Sequence, residues 1–239
     1  MEVIKKRLVN YEYFMSIFGG PNFINKLESE VKQRAAVLIP LLLKEAKLHV
    51  LLTQRTYRVS SHKGDVAFPG GKQESCDVDL ISTALREADE EVGIKAENVC
   101  ILGVLSPKMV GRGILVTPVV GFLKSSDFRA SIDHVEVETV FHVPLDFFLD
   151  NSSNHCYETF KYNNNEYTLH FFQFTQNRND KEESYTIYGF TASVCVEVAV
   201  VVLDRLPNYE LMSQREKNII KEYFRKRKTQ RKSTLKGQL

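Results

Sequence analysis

A mixed α/β sandwich is the fold class this sequence predicts. Short apolar segments of strand length recur along the chain, few helical patterns interrupt them, and one strongly periodic helix follows a glycine-rich loop. The 239 residues, 43% hydrophobic and 26% charged, suit one compact domain with a real core and terminal elaborations. The organisation read from the sequence is an N-terminal helical extension over 1–34, a central domain over 35–204, and a C-terminal helix with a basic tail over 205–239.

In chain order, Pro21 followed by Phe23, Ile24, Leu27 and Val31 has helical spacing. Residues 35–43 and 49–53 read as two strands joined by the polar turn Lys44-Glu45-Ala46-Lys47. Residues 54–72 are polar, rich in glycine and basic side chains, and end in Phe68-Pro69-Gly70-Gly71, which suits an ordered functional loop. Over 79–92, Ile81, Ala84, Leu85, Ala88 and Val92 form one stripe, and Gly93 stands where a glycine stops a helix. Segments 99–105, 114–123, 136–143, 166–174 and 194–203 read as strands, 144–149 as a short turn of helix, and 207–227 as a final helix. Asn163-Asn164-Asn165, residues 177–183 and the basic tail read as loops or disorder.

Composition narrows the function classes. No run approaches eighteen apolar residues and the opening lacks the signature of a signal peptide, so a soluble, intracellular protein is expected, with no membrane partner. Cys76, Cys100, Cys156 and Cys195 are too far apart for a Cys-x-x-Cys pair and read as reduced, mostly buried thiols. The formal net charge is +2, yet residues 215–239 carry ten Lys or Arg against two Glu, which leaves −6 on the rest of the chain. A basic terminus of this kind is more often a solvated end than a nucleic-acid contact, so no nucleic-acid partner is expected.

The chemistry concentrates on the periodic helix. Glu87, Glu90 and Glu91 stand at i, i+3 and i+4 and share one narrow face beside the apolar stripe. Like charges at that spacing repel, so a helix that keeps them wants cations, and hard divalent metals with oxygen ligands fit. Taken alone such a triplet reads as an ordinary solvated face. Its context changes that reading: Gly71, and then Arg86-Glu87-Ala88-Asp89-Glu90-Glu91-Val92-Gly93-Ile94, resembles the Nudix box, a glycine, five residues, an acid, seven residues and R-E-U-x-E-E-x-G-U. The second half matches at every specified position. The first half is one residue longer than the pattern, and counting from the glycine puts Asp77 at the acidic position.

Resemblance to the Nudix hydrolases implies an α/β/α sandwich with a mixed sheet and a Mg²⁺ or Mn²⁺ site held by Glu87, Glu90 and Glu91, with Arg86 a structural partner for an acid such as Asp77. Glu136 is a candidate further ligand or general base brought over the helix from outside the box. Upstream, Leu51-Leu52-Thr53-Gln54-Arg55-Thr56, Gly64 and Phe68-Pro69-Gly70-Gly71 resemble the signature of the coenzyme A diphosphatase subgroup, from which Thr56 and Ser60 depart. The stretches 136–145 and 185–192 are also similar to that subgroup.

Coenzyme A offers a diphosphate and a ribose 3′-phosphate, so Arg55, Arg58, His62 and Lys63 suit the charge-assisted bonds it needs, while Gly70 and Gly71 let backbone approach a ligand. The expected activity is therefore hydrolysis of the diphosphate of coenzyme A or an acyl-CoA, a small-molecule substrate. The alternatives are another nucleoside diphosphate derivative, such as NADH, ADP-ribose or an RNA cap, or a non-catalytic scaffold that binds a nucleotide or RNA. Relatives with this signature include peroxisomal enzymes, and the ending Lys236-Gly237-Gln238-Leu239 shares only its leucine and upstream lysine with a Ser-Lys-Leu address, so the expected compartment is peroxisomal or otherwise cytoplasmic.

Overall fold

The protein is described by a computed structural model over residues 1–19, 30–58, 63–111, 113–125, 128–150, 153–162, 165–178, 180–209 and 223–225. Helix α1 (Glu2–Gly19) precedes the hairpin β1 (Gln33–Lys44) and β2 (Lys47–Arg55). The turn between these strands places Glu45 and Ala46 at φ of 51° and 60°, the left-handed pair that a two-residue hairpin loop needs. Short strands β3 (Val66–Ala67) and β4 (Gly70–Lys72) follow, then helix α2 (Leu80–Val92), a 3₁₀ turn at Ala96–Asn98, and β5 (Val99–Val104), β6 (Lys108–Val110), β7 (Ile114–Leu123) and β8 (Val137–Pro144). Helix α3 (Phe147–Asp150), strands β9 (His155–Tyr162), β10 (Asn165–Arg178) and β11 (Lys181–Tyr188), and helix α4 (Gly189–Leu203) complete the described elements.

Strands β1 to β8 form one mixed sheet along the path β3-β2-β1-β7-β5, with β4 on β1, β6 on β7 and β8 on β2. The pair β1–β7 is parallel over Gln33↔Ile114 to Leu41↔Phe122, and the other described pairs of this sheet are antiparallel. Strand β1 is buried on both faces, and its side chains alternate between two cores. Ala36, Leu38 and Leu42 meet Ala84, Ala88 and Val92 of α2, whereas Ile39 and Leu41 meet the apolar cluster of α4. Helices thus cover both faces, the expected α/β/α arrangement. The antiparallel sheet β11-β10-β9 packs beside α4.

Several expectations are corrected. Residues 194–203 form the larger part of α4, not a strand. Apart from Glu197 that run is apolar, so it carries almost no period to separate helix from strand, and its valines suit either. Val194, Val196, Val198, Val200, Val201 and Val202 are all buried, and at about 1.5–3 kcal/mol per side chain burial outweighs a helix-propensity cost of at most about 0.7 kcal/mol per residue. Residues 177–183 are not a loop but the tip of the β10–β11 hairpin, with Asp180 at φ 60° in the turn. Its polar composition marks strands that leave the core. The thiols are free, but only Cys195 is buried, with Cys76 and Cys156 exposed and Cys100 between.

At the N-terminus a helix lies at Glu2–Gly19. Most of the helical spacing noted over 21–31 falls outside the described residues. So do Asn163, Asn164, His62, the basic tail from 226 onward and most of the expected final helix, of which 223–225 are helical and 207–209 are not.

Candidate active site

Helix α2 is fixed at both ends by its own sequence. Asp79 accepts from the Ser82 N–H at 2.7 Å while the Ser82 hydroxyl oxygen accepts from the Asp79 N–H at 3.0 Å, a reciprocal capping box. At the other end Gly93 takes φ 74° and donates its N–H to the Asp89 carbonyl at 2.9 Å. Between these caps the apolar stripe faces the sheet, and the next face along carries Glu87 and Glu91 toward β4.

Strand β4 lies against this carboxylate face. A Cβ on Gly71 would sit 2.5 Å from the Glu87 carboxyl carbon, and one on Gly70 would sit 2.4 Å from the Ala36 carbonyl oxygen. The glycines are therefore required by the protein's own packing: Gly71 makes room for Glu87, and Gly70 lets β4 close on β1. The Gly70 N–H also donates to the Glu91 carboxylate.

Glu91 is 7% exposed. Burial first, and then the carboxylates of Glu136 and Glu87, push its pKa up to about 8, against the opposing pull of Arg55 and the Gly70 N–H. Glu87 is raised too, chiefly by burial and against the pull of Arg86. Glu136, from the turn before β8, thus belongs to the same electrostatic cluster, and its Oε2 lies 3.7 Å from Arg55 Nη2 at the end of β2. The end of β2, helix α2 and the turn before β8 thus bring together charged residues from three separate stretches of the sequence.

Arg86 ties this face to the preceding loop. Its Nε and Nη2 donate to the two oxygens of Asp77 at 2.9 and 3.0 Å, and its Nη1 donates to Glu87 at 2.9 Å and Glu90 at 3.0 Å. Asp77 is 3% exposed at its side chain and is held well below the usual carboxylate range, first by Arg86. Asp77 thus fills the acidic position that faces Arg86, whereas its neighbour Val78 is 90% exposed.

The remaining site candidates separate. Arg55 reaches the cluster. Arg58 is exposed and lines an open cleft of about 410 Å³ with Asp133, His134 and Val135, next to Glu136. Lys63 is exposed in the turn before Gly64, and His62 lies outside the described residues. Glu90, 59% exposed at its side chain, is engaged by Arg86.

Among the described residues no three His, Cys, Asp or Glu side chains converge closely enough to form a ready-made metal cage. The donor chemistry nevertheless fits a hard divalent cation: Glu87, Glu91 and Glu136 offer oxygens alone, and a carboxylate as disfavoured in its charged form as Glu91 calls for compensating positive charge. Sequence reasoning missed the turn that carries Glu136, where Asp133 two residues before Val135 is an Asx-turn signal.

Comparison with known proteins bears on this arrangement. The NUDIX domain family matches residues 32–146. The peroxisomal coenzyme A diphosphatase NUDT7 of Mus musculus is 36% identical over 178 residues, covering 74% of this chain and 73% of its own length. The mitochondrial Nudix hydrolase 15 of Arabidopsis thaliana is 35% identical, and this chain spans 61% of its length. An uncharacterized Nudix hydrolase NudL of Citrobacter koseri is 38% identical over 72% of this chain and 83% of its own. Among solved structures, a MutT/nudix family protein from Enterococcus faecalis aligns with a TM-score of 0.47 at 19% identity, covering 82% of this chain and 73% of that one.

Proposed function

This chain belongs to the Nudix hydrolase family and is a pyrophosphohydrolase, and from that premise we propose that it cleaves the diphosphate of coenzyme A or an acyl-CoA to 3′,5′-ADP and (acyl-)4′-phosphopantetheine. The observation that carries the substrate reading is the position of Arg55. This arginine of the upstream signature stands at the carboxylate cluster, beside Glu136, and Arg58 lines a cleft with the turn residues Asp133, His134 and Val135 that precede Glu136. The 36% identity to a protein named as a coenzyme A diphosphatase supports the same substrate class, and that name supports a peroxisomal address.

Nudix hydrolases generally use divalent metals, and Glu87, Glu90 and Glu91 would hold Mg²⁺ or Mn²⁺ here, with Glu136 facing them. When bound, such an ion offsets charge on the diphosphate oxygens and lowers the pKa of an attacking water. The chain's own groups do the rest. Arg55, Arg58 and Lys63 pair with phosphate oxygens, Arg55 from a half-buried position where a charge-assisted bond is strongest. Glu136 accepts the proton of the attacking water, its carboxylate held 3.7 Å from Arg55 Nη2. Asp77 and Arg86 hold Glu87 in place.

The test is a substrate panel on the purified full chain with Mg²⁺ or Mn²⁺. Coenzyme A and acyl-CoAs are cleaved faster than NADH, ADP-ribose or capped RNA, and EDTA abolishes turnover. Preference for any of the other nucleotides would overturn the substrate assignment, and turnover that survives EDTA would overturn the metal assignment.

A further inference from the structure

Glu136 is not part of the strand it precedes, since β8 begins at Val137. It ends a tight turn whose bonds converge on Asp133. The N–H groups of Glu136 and Val137 both donate to the Asp133 carbonyl, at 3.2 and 2.9 Å, and the Val135 N–H donates to Asp133 Oδ1 at 2.9 Å. The Asp133 N–H in turn donates to the Glu91 carbonyl at 3.0 Å, and the Ser131 N–H to the Val92 carbonyl at 3.1 Å.

These two carbonyls belong to the last turn of α2, where the helix itself supplies no donor. The segment 131–136 is therefore strapped across the end of the helix that carries Glu87 and Glu91. Gly93 leaves room for it, because a Cβ there would lie 2.9 Å from the Ser131 Cβ. On its far side the turn is held by the Thr56 N–H, which donates to the Glu136 carbonyl at 2.9 Å. Asp133 is thus bonded through its backbone to Glu91 and through its side chain to the turn that presents Glu136.

We propose that Asp133 is a positioning residue for the hydrolytic reaction, its side-chain turn setting Glu136 over the Glu87 and Glu91 carboxylates. The inference rests on the role given to Glu136 above. The backbone tethers survive Asp133→Ala, whereas the bond from Val135 to Oδ1 does not, so this variant leaves the strap attached but loosens its last three residues. A misplacement of about 1 Å at a reacting group costs as much as about 10²-fold in rate. Asparagine keeps an Oδ1 acceptor, so Asp133→Asn preserves the turn while removing the charge.

The experiment measures kcat, KM and Tm at saturating Mg²⁺ for the wild-type chain, Asp133→Ala, Asp133→Asn, Glu136→Gln and the double variant Asp133→Ala with Glu136→Gln, using the panel substrate cleaved fastest. Asp133→Ala lowers kcat at least tenfold while KM and Tm stay close to wild type. Asp133→Asn recovers most of that loss, and in the Glu136→Gln background Asp133→Ala adds nothing further. Wild-type kcat in Asp133→Ala, equal losses in the Ala and Asn variants, or a full further loss in the double variant overturns the inference while leaving Glu136 its role. Full turnover in Glu136→Gln removes the role of Glu136 and this inference with it.

Discussion

Glu91 is the residue on which the site's electrostatics turn. Its burial and the facing carboxylates of Glu136 and Glu87 leave its charge in need of a cation, which the Gly70 N–H and Arg55 offset only in part. Glu91→Gln keeps the volume and the acceptor but removes that charge. Turnover is expected to fall by two or more orders of magnitude with Tm unchanged or raised, and a variant with near-normal kcat would refute the assignment. The two adjacent glycines divide fold from function in the same way. Gly71→Ala pushes against the mobile end of Glu87, so the expected result is a folded protein with at least tenfold lower kcat. Gly70→Ala pushes against the Ala36 backbone, where no side chain can swing aside, and is expected to cost about 1–3 kcal/mol of stability. Urea melts of the two variants beside their kcat values separate these outcomes.

At the scale of elements, α2 works as a rigid carrier. Its caps hold the helix ends, its apolar stripe anchors it to β1, and the carboxylates on the adjoining face inherit that rigidity. The three-stranded sheet behaves differently because it buries imidazoles. His155 Nε2 and His170 Nδ1 lie 2.9 Å apart beneath Phe172 and Tyr209, and burial lowers both to about 4. A histidine depressed in the folded state binds its proton more readily when unfolded. The stability it contributes is therefore full above its ordinary value of about 6.5 and is lost as pH falls toward 4. We expect stability to drop by on the order of 2 kcal/mol between pH 6.5 and 4.5 from the well-buried His170, with the more exposed His155 adding less. His170→Gln, whose amide hydrogen-bonds without titrating, should show a shallower fall, and identical profiles for the two proteins would discount the pair.

For the whole molecule, the site depends on a sheet supported on both faces. The α4 side is completed by α1, where Leu8 is fully buried and its Cβ lies 3.1 Å from where a Cβ on Gly103 of β5 would be. Tyr11 of α1 meets Tyr223 edge-on at 5.2 Å, so segments from both ends of the chain close the same core. Leu8→Ala is expected to destabilise by about 2–5 kcal/mol while leaving kcat unchanged at temperatures where the variant is folded. A loss below 1 kcal/mol would show that α1 is not part of the cooperative unit. Among the described residues no helix is long and apolar enough to cross a membrane.

The helix with its glutamates, the hairpin ahead of it and the strand over 114–123 were legible because each is written in local spacing: a 3.6-residue stripe between two caps, and apolar runs between polar turns. The pairing of Arg86 with Asp77 was legible from a motif, although the extra residue in the motif needed the salt bridge to place it. What only the tertiary structure decided is which distant groups meet. Nothing local says that Glu136 comes to face Glu91, which only the family resemblance suggested, that Gly71 is a glycine because of Glu87, or that a valine-rich run winds into α4 in place of a strand. Each of these is set by contacts across many residues of chain, where burial and exclusion of overlap outweigh the weak local preferences that a sequence displays.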